Sequence, residues 1–153
     1  MTKEDLKNTL SGLLPELEFP EINNRLVNVR CTTGNLKKVA EFLKTNDALK
    51  FDFLFSLTAI DWPDHLEIIY HLRSTEMTHE MVLRVKTEGR ENPQVNTVSD
   101  IWPTADFHER EVFDLFGVQF INHPDLRRIF LEDDWVGYPL RKDYTDEINI
   151  VEL

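Results

Sequence analysis

The sequence predicts an α+β domain with helices packed on a mixed or antiparallel sheet and an irregular C-terminal tail. Three observations predict it. Two amphipathic segments repeat apolar residues at helical spacing, and several short blocks alternate or run rich in branched and aromatic residues. Beyond Asn92-Pro93 the pattern changes to one short helix followed by proline- and charge-rich chain.

In order along the chain, Leu6, Leu10, Leu13 and Leu14 recur at helical spacing within 3–14, and Pro15 stops that helix. Leu26–Thr32 alternates as a first strand. Gly34 and Asn35 open a helix whose apolar face is Leu36, Val39, Ala40 and Leu43. Phe51–Trp62 reads as a strand ended by the Pro63-Asp64 turn, and Leu66–Leu72 pairs with it as a hairpin. Met81–Lys86 adds a strand with Met81, Leu83 and Val85 on one face. Asp106 fits an N-cap with Glu109 completing a capping box, and Gly117 fits the glycine that ends a helix, giving a helix over 106–116. The expected order is therefore α, β, α, three strands, α, tail. No repeat or linker divides residues 1–153, whose core is expected at about 1–120 and whose signature and docking tail is expected at about 106–153.

Composition removes whole classes of function. A net charge of −11 argues against nucleic-acid binding, which needs a dense positive surface. Cys31 is the single cysteine, so this chain alone builds neither a disulfide nor a thiolate quartet for zinc or an iron–sulfur cluster. The opening Met-Thr-Lys-Glu-Asp-Leu-Lys lacks the apolar core of a signal peptide, and no apolar run approaches the ~20 residues that cross a bilayer. Work at a membrane would require other chains to hold it there. No glycine-rich nucleotide loop and no serine nucleophile elbow is present.

Polar residues concentrate in three clusters near the end. The first, His108-Glu109-Arg110-Glu111-Val112-Phe113-Asp114, admits three readings. His108, Glu111 and Asp114, with His123, could handle a metal or a proton. The same charges could be a solvated face with intrahelical ion pairs. Interleaved with Phe107, Val112, Phe113, Leu115 and Phe116, they could instead form a charged interface packed on both its own sheet and a partner. The second cluster is His123-Pro124-Asp125-Leu126-Arg127-Arg128, whose arginines can fork onto carboxylates or sit in an ordinary surface turn. The third is Asp133-Asp134-Trp135 with Pro139-Leu140-Arg141-Lys142-Asp143-Tyr144, aromatic and charged as interface anchors are.

The run Glu109-Arg110-Glu111-Val112-Phe113-Asp114-Leu115-Phe116-Gly117, continuing through Phe120, His123 and Leu126-Arg127-Arg128, closely resembles the signature of the 30-kDa (C-type) subunit of respiratory complex I. Asp133-Asp134-Trp135, Gly137 and the segment 139–144 look like that family's continuation. The resemblance is strong over the last third and elsewhere rests on element order and Asp61-Trp62.

It implies a non-catalytic structural and assembly subunit of a proton-pumping NADH:quinone oxidoreductase. The chain would hold no cofactor, with FMN, iron–sulfur clusters, NADH and quinone carried by other subunits. It would dock beside the 49-kDa-type subunit and neighbouring iron–sulfur subunits, at the cytoplasmic face of a bacterial inner membrane, without inserting. Its interface residues would be Glu109, Arg110, Glu111, Asp114, Phe116, Gly117, His123, Asp125, Leu126, Arg127, Arg128, Trp135, Arg141, Lys142, Asp143 and Tyr144. Of these, Glu111, Asp114, Arg127, Arg128 and Arg141 are expected in inter-subunit or motif-ordering ion pairs. Many relatives continue as a long tail or a fused 49-kDa-type domain, whose contacts are expected to be absent or short here. Membrane-bound hydrogenases and other energy-converting complexes contain similar domains, so the electron donor stays open, and a stand-alone metal-binding enzyme is the rival from another class.

Overall fold

A computed structural model describes residues 2–22 and 24–146. Helix α1 (Lys3–Leu13) is capped by the Thr2 hydroxyl and buries Leu6 and Leu10. Strand β1 (Val27–Cys31) leads through a 3-10 turn at Thr33–Asn35 into α2 (Leu36–Thr45), whose buried face is Leu36, Val39, Ala40 and Leu43, as the spacing predicts. Strands β2 (Phe53–Asp61), β3 (Leu66–Arg73) and β4 (Glu80–Lys86) follow as an antiparallel meander.

The four strands lie in the order β1-β4-β3-β2, with β1 parallel to β4. The sheet is therefore mixed, and the first strand closes an edge beside the last one made. Register places Val29, Leu83, Tyr70 and Leu57 across one face, all buried in the core against α1, α2 and the following helix. The opposite face is polar. There Glu67, almost wholly buried, accepts from Arg30 at 3.2 Å, Arg84 at 3.0 Å and the Trp62 indole at 3.2 Å. Two guanidiniums and an indole satisfy a charge that would be costly to bury unpaired.

Helix α3 (Ala105–Phe116) packs on β2 and lies between β5 (Gln94–Asn96) and β6 (Gln119–Ile121), which pair in parallel. The sequence pattern does not predict this small second sheet: three-residue ladders carry no readable alternation. The capping box also fails. Thr104 is the N-cap, and its hydroxyl donates to Leu54 O at 2.6 Å instead of capping the helix. Trp102 enters the core just before, its indole donating to Phe51 O at 2.8 Å, so α3 starts where β2 fixes it. Asp106 then falls in the first turn, and Glu109 faces inward. Gly117 ends the helix as predicted, at φ 78°. From Asn122 to Asp146 the chain is irregular.

Candidate functional site

The irregular segment forms a strap across the C-terminal end of α3, and its shape comes from side chains bonding to backbone. Asp114, buried on α3, is the centre. Its carboxylate accepts the backbone N–H groups of Ile129, Phe130 and Leu131 at 3.2, 2.7 and 3.2 Å, and Arg128 Nη1 at 2.9 Å. Burial alone would raise this acid; the Arg128 guanidinium and the three N–H groups outweigh it and hold Asp114 below its ordinary value.

Arg128 reaches further, donating to Asp114 O, Trp135 O and Gly137 O at 2.8, 3.1 and 3.0 Å. Arg141 donates to Phe116 O at 2.6 Å and Arg90 O at 3.0 Å. The Tyr138 ring lies under both guanidiniums, 5.1 Å from Arg128 and 5.5 Å from Arg141, a cation–π arrangement that closes the strap onto the helix end. Two glycines permit this closeness. A Cβ on Gly117 would stand 2.6 Å from the Tyr138 ring, and one on Gly137 would stand 2.8 Å from the Tyr144 ring. Both glycines also have positive φ.

The far end of the strap is latched to the sheet. Asp61, buried at the end of β2, accepts Lys142 N at 2.7 Å and pairs with Arg90, which also reaches Asp143 at 3.3 Å. Sequence reasoning reads Asp61 as a strand end and leaves out Arg90, Thr97 and Tyr138. Their partners lie far along the chain, so only the Asp61-Trp62 dipeptide signals the latch.

A second buried acid anchors the start of α3. Glu109, wholly buried, accepts from the Thr97 hydroxyl and from Val98 N at 2.9 Å. Burial pushes its carboxyl up to about 7, while those two hydrogen bonds pull the other way. His123, its side chain fully buried, meets Asp106 O through Nε2 at 3.1 Å and accepts Asp125 N through Nδ1 at 3.0 Å.

The remaining predicted residues divide by exposure. Arg110 donates to Arg127 O and Arg128 O and stacks on Phe107 at 5.7 Å. Phe116 and Leu126 are half-buried against the core, and Trp135 and Tyr144 are half-buried in the strap. Glu111, Asp125, Arg127, Lys142 and Asp143 are exposed, Arg127 pairing with Asp125 at 3.0 Å. For Asp114, Arg128 and Arg141 the bonds seen lie within the chain and order the motif. A metal site from His108, Glu111 and Asp114 is not assembled: Asp114 turns inward onto Arg128 while Glu111 faces solvent. Among the described residues, no group of three or more histidine, cysteine, aspartate or glutamate side chains is placed to hold a metal ion.

While Asp114, Arg128 and Arg141 turn inward, several apolar side chains stand outside. Phe107 is 67% exposed, Phe130 63%, Leu140 53% and Val136 50%. Phe130, Val136 and Leu140 are carried on the braced segment and Phe107 on α3. No helix among the described residues is long and apolar enough to cross a membrane.

Known proteins share both this segment and the domain that carries it. The model of a family described as respiratory-chain NADH dehydrogenase, 30 kDa subunit, matches residues 29–148. The chain is 51% identical over 114 residues to the C/D-type subunit of the NADH-quinone oxidoreductase of Phocaeicola vulgatus, covering 74% of this chain but only 22% of that relative. It is 43% identical over 120 residues to the C-type subunit of the same enzyme from Roseiflexus castenholzii, covering 76% of this chain and 68% of the relative. In three dimensions it matches a chain of the membrane-bound sulfane sulfur reductase, an archaeal respiratory membrane complex, at a TM-score of 0.79 and 26% identity, over 94% of this chain and 86% of that one. Signature, fold and relatives agree: the chain belongs to the family of the respiratory-chain NADH dehydrogenase 30 kDa subunit.

Proposed function

We propose that this chain is a cofactor-free structural and assembly subunit in the peripheral arm of a proton-pumping NADH:quinone oxidoreductase. It docks on the 49-kDa-type subunit and supports electron transfer from NADH to quinone without carrying electrons itself. FMN, the iron–sulfur clusters and quinone belong to other subunits, and those subunits hold it at the cytoplasmic face of the bacterial inner membrane.

One observation carries the docking role: a segment without regular secondary structure is fixed by Asp114, Arg128 and Arg141 while Phe107, Phe130, Val136 and Leu140 project outward. Preorganisation of this kind lowers the ordering cost of association. The internal bonds make the strap a rigid insert, and the exposed apolar tips supply the contact area.

Native purification of the tagged chain from a membrane extract tests the proposal. Expected is co-purification of redox subunits including the 49-kDa-type one, whereas the chain purified alone is folded, colourless and inactive. A chain that stays monomeric and recovers no redox subunit refutes it. The match to the sulfane sulfur reductase chain favours a second reading, an equivalent subunit of a hydrogenase-type or other energy-converting complex. The identity of the co-purified subunits separates the two.

A further inference from the structure

We infer that the partner surface receiving this strap is an apolar groove rimmed by lysine and arginine. The inference rests on the docking reading and goes further in fixing the partner's chemistry.

Among the described residues of the strap, Asp125, Glu132, Asp133, Asp134 and Asp143 are exposed, against two exposed cations, Arg127 and Lys142. Arg110, Arg128 and Arg141 turn toward backbone carbonyls: Arg110 onto residues 127 and 128, Arg128 onto 114, 135 and 137, Arg141 onto 116 and 90. Of the three, Arg128 also pairs with a carboxylate, the buried one of Asp114, and the other two donate to carbonyls alone among the described residues. The acids Glu111, Glu132, Asp133 and Asp134 are all exposed or partly exposed and, among the described residues, form no ion pair. Glu132, Asp133 and Asp134 lie between Phe130 and Val136 along the strap, and Glu111 is one turn from Phe107 on α3. Phe130 and Val136 are thus bordered by unpaired negative charge, while Arg110 lies over the Phe107 ring.

That border selects among occupants. A second copy of this chain would set acid against acid, which is unfavourable at a self-complementary contact. An anionic membrane surface is repelled for the same reason. A protein groove with a basic rim satisfies both the apolar tips and the acids, and rim charges of matching sign speed association while the apolar centre holds it. The net charge of −11 extends the same attraction beyond contact range.

The test uses the full tagged chain added to membrane extract stripped of its native copy, with recovery of the 49-kDa-type and iron–sulfur subunits measured against sodium chloride. In one variant Glu111→Gln, Glu132→Gln, Asp133→Asn and Asp134→Asn are combined; in another, Phe130→Ser and Leu140→Ser. Both variants are checked for an unchanged circular dichroism spectrum. The neutralised variant is expected to recover about tenfold less partner than the native chain near ~50 mM salt and to match it near ~500 mM, where screening is strong. Carbodiimide coupling should join Asp133 or Asp134 of the native chain to a partner lysine. The serine variant should lose recovery at every salt concentration. If the serine variant fails to bind while the neutralised one binds as the native chain does, the basic rim is refuted and docking stands. If both bind normally, the docking reading falls with it.

Discussion

Replacing Asp114 by alanine removes four hydrogen bonds at once, three from consecutive backbone N–H groups of the strap and one from the Arg128 guanidinium. A hydrogen bond to a charged group contributes about 1.5–3 kcal/mol, but these share one acceptor and are not additive. The strap is only half-buried, so water reaches the freed N–H groups, while Arg128 keeps its carbonyl partners and loses its counter-charge. The expected loss is about 3–5 kcal/mol, as for breaking one side of a buried pair. Against a total stability of roughly 5–15 kcal/mol, that is enough to free the strap before the sheet melts. Asp114→Asn retains one accepting oxygen and should lose about half as much, roughly 2 kcal/mol. Urea unfolding followed by tryptophan fluorescence, with limited proteolysis of residues 122–146, measures both effects. Trp135 reports the strap and Trp102 the core, so strap release should appear at lower urea than core unfolding. The pH dependence has a definite sign: Asp114 lies below its ordinary value of 3.8, so its contribution is present above that pH and is lost as pH falls through the folded value. A loss below about 1 kcal/mol with unchanged proteolysis would refute the bracing role.

Three more outcomes follow from the same geometry. Gly117→Ala must hold a Cβ at φ 78° and displace Tyr138, costing about 2–3 kcal/mol by thermal unfolding and increasing cleavage in the strap. Glu109 binds its proton more tightly folded, at about 7, than in its ordinary range near 4.5, so stability is full below about 4.5 and falls as pH rises through 7. The difference is about 3 kcal/mol, and Glu109→Gln should flatten that slope in denaturation measured from pH ~5 to ~8. Arg127→Glu should leave the isolated domain folded, because the only ion-pair partner of its side chain among the described residues is the exposed Asp125. Arg128→Glu should release the strap, because it places an acid against Asp114; equal proteolysis of the two variants would contradict the distinction.

Sequence periodicity is enough for the elements that depend on local pattern. The α2 face, the hairpin turning at Pro63-Asp64, and the helix stop at Gly117 are all where alternation, spacing and turn chemistry place them. What lies beyond its reach are long-range decisions. Asp106 and Glu109 have capping-box spacing, yet Leu54 O takes the Thr104 hydroxyl and Thr97 draws Glu109 inward. The sequence shows that Arg128 and Arg141 are charged but not that carbonyls receive them, since every residue offers a carbonyl. The Asp61–Lys142 latch joins positions 81 apart and depends on the strap being folded. The signature is therefore recognisable as a motif before its internal wiring can be read.

The parallel pairing of β1 with β4 also orders events during synthesis. The β2–β3–β4 meander closes through tight turns and can form once Lys86 has emerged. Val27 must wait opposite an empty edge until Met81 arrives, carrying with it the apolar face of α1. The first strand made is thus among the last seated, and Asp61 waits longer still for Lys142. A nascent chain stalled between those points would expose an unpaired apolar strand, so the interval before β4 emerges is when this subunit has most need of protection from aggregation.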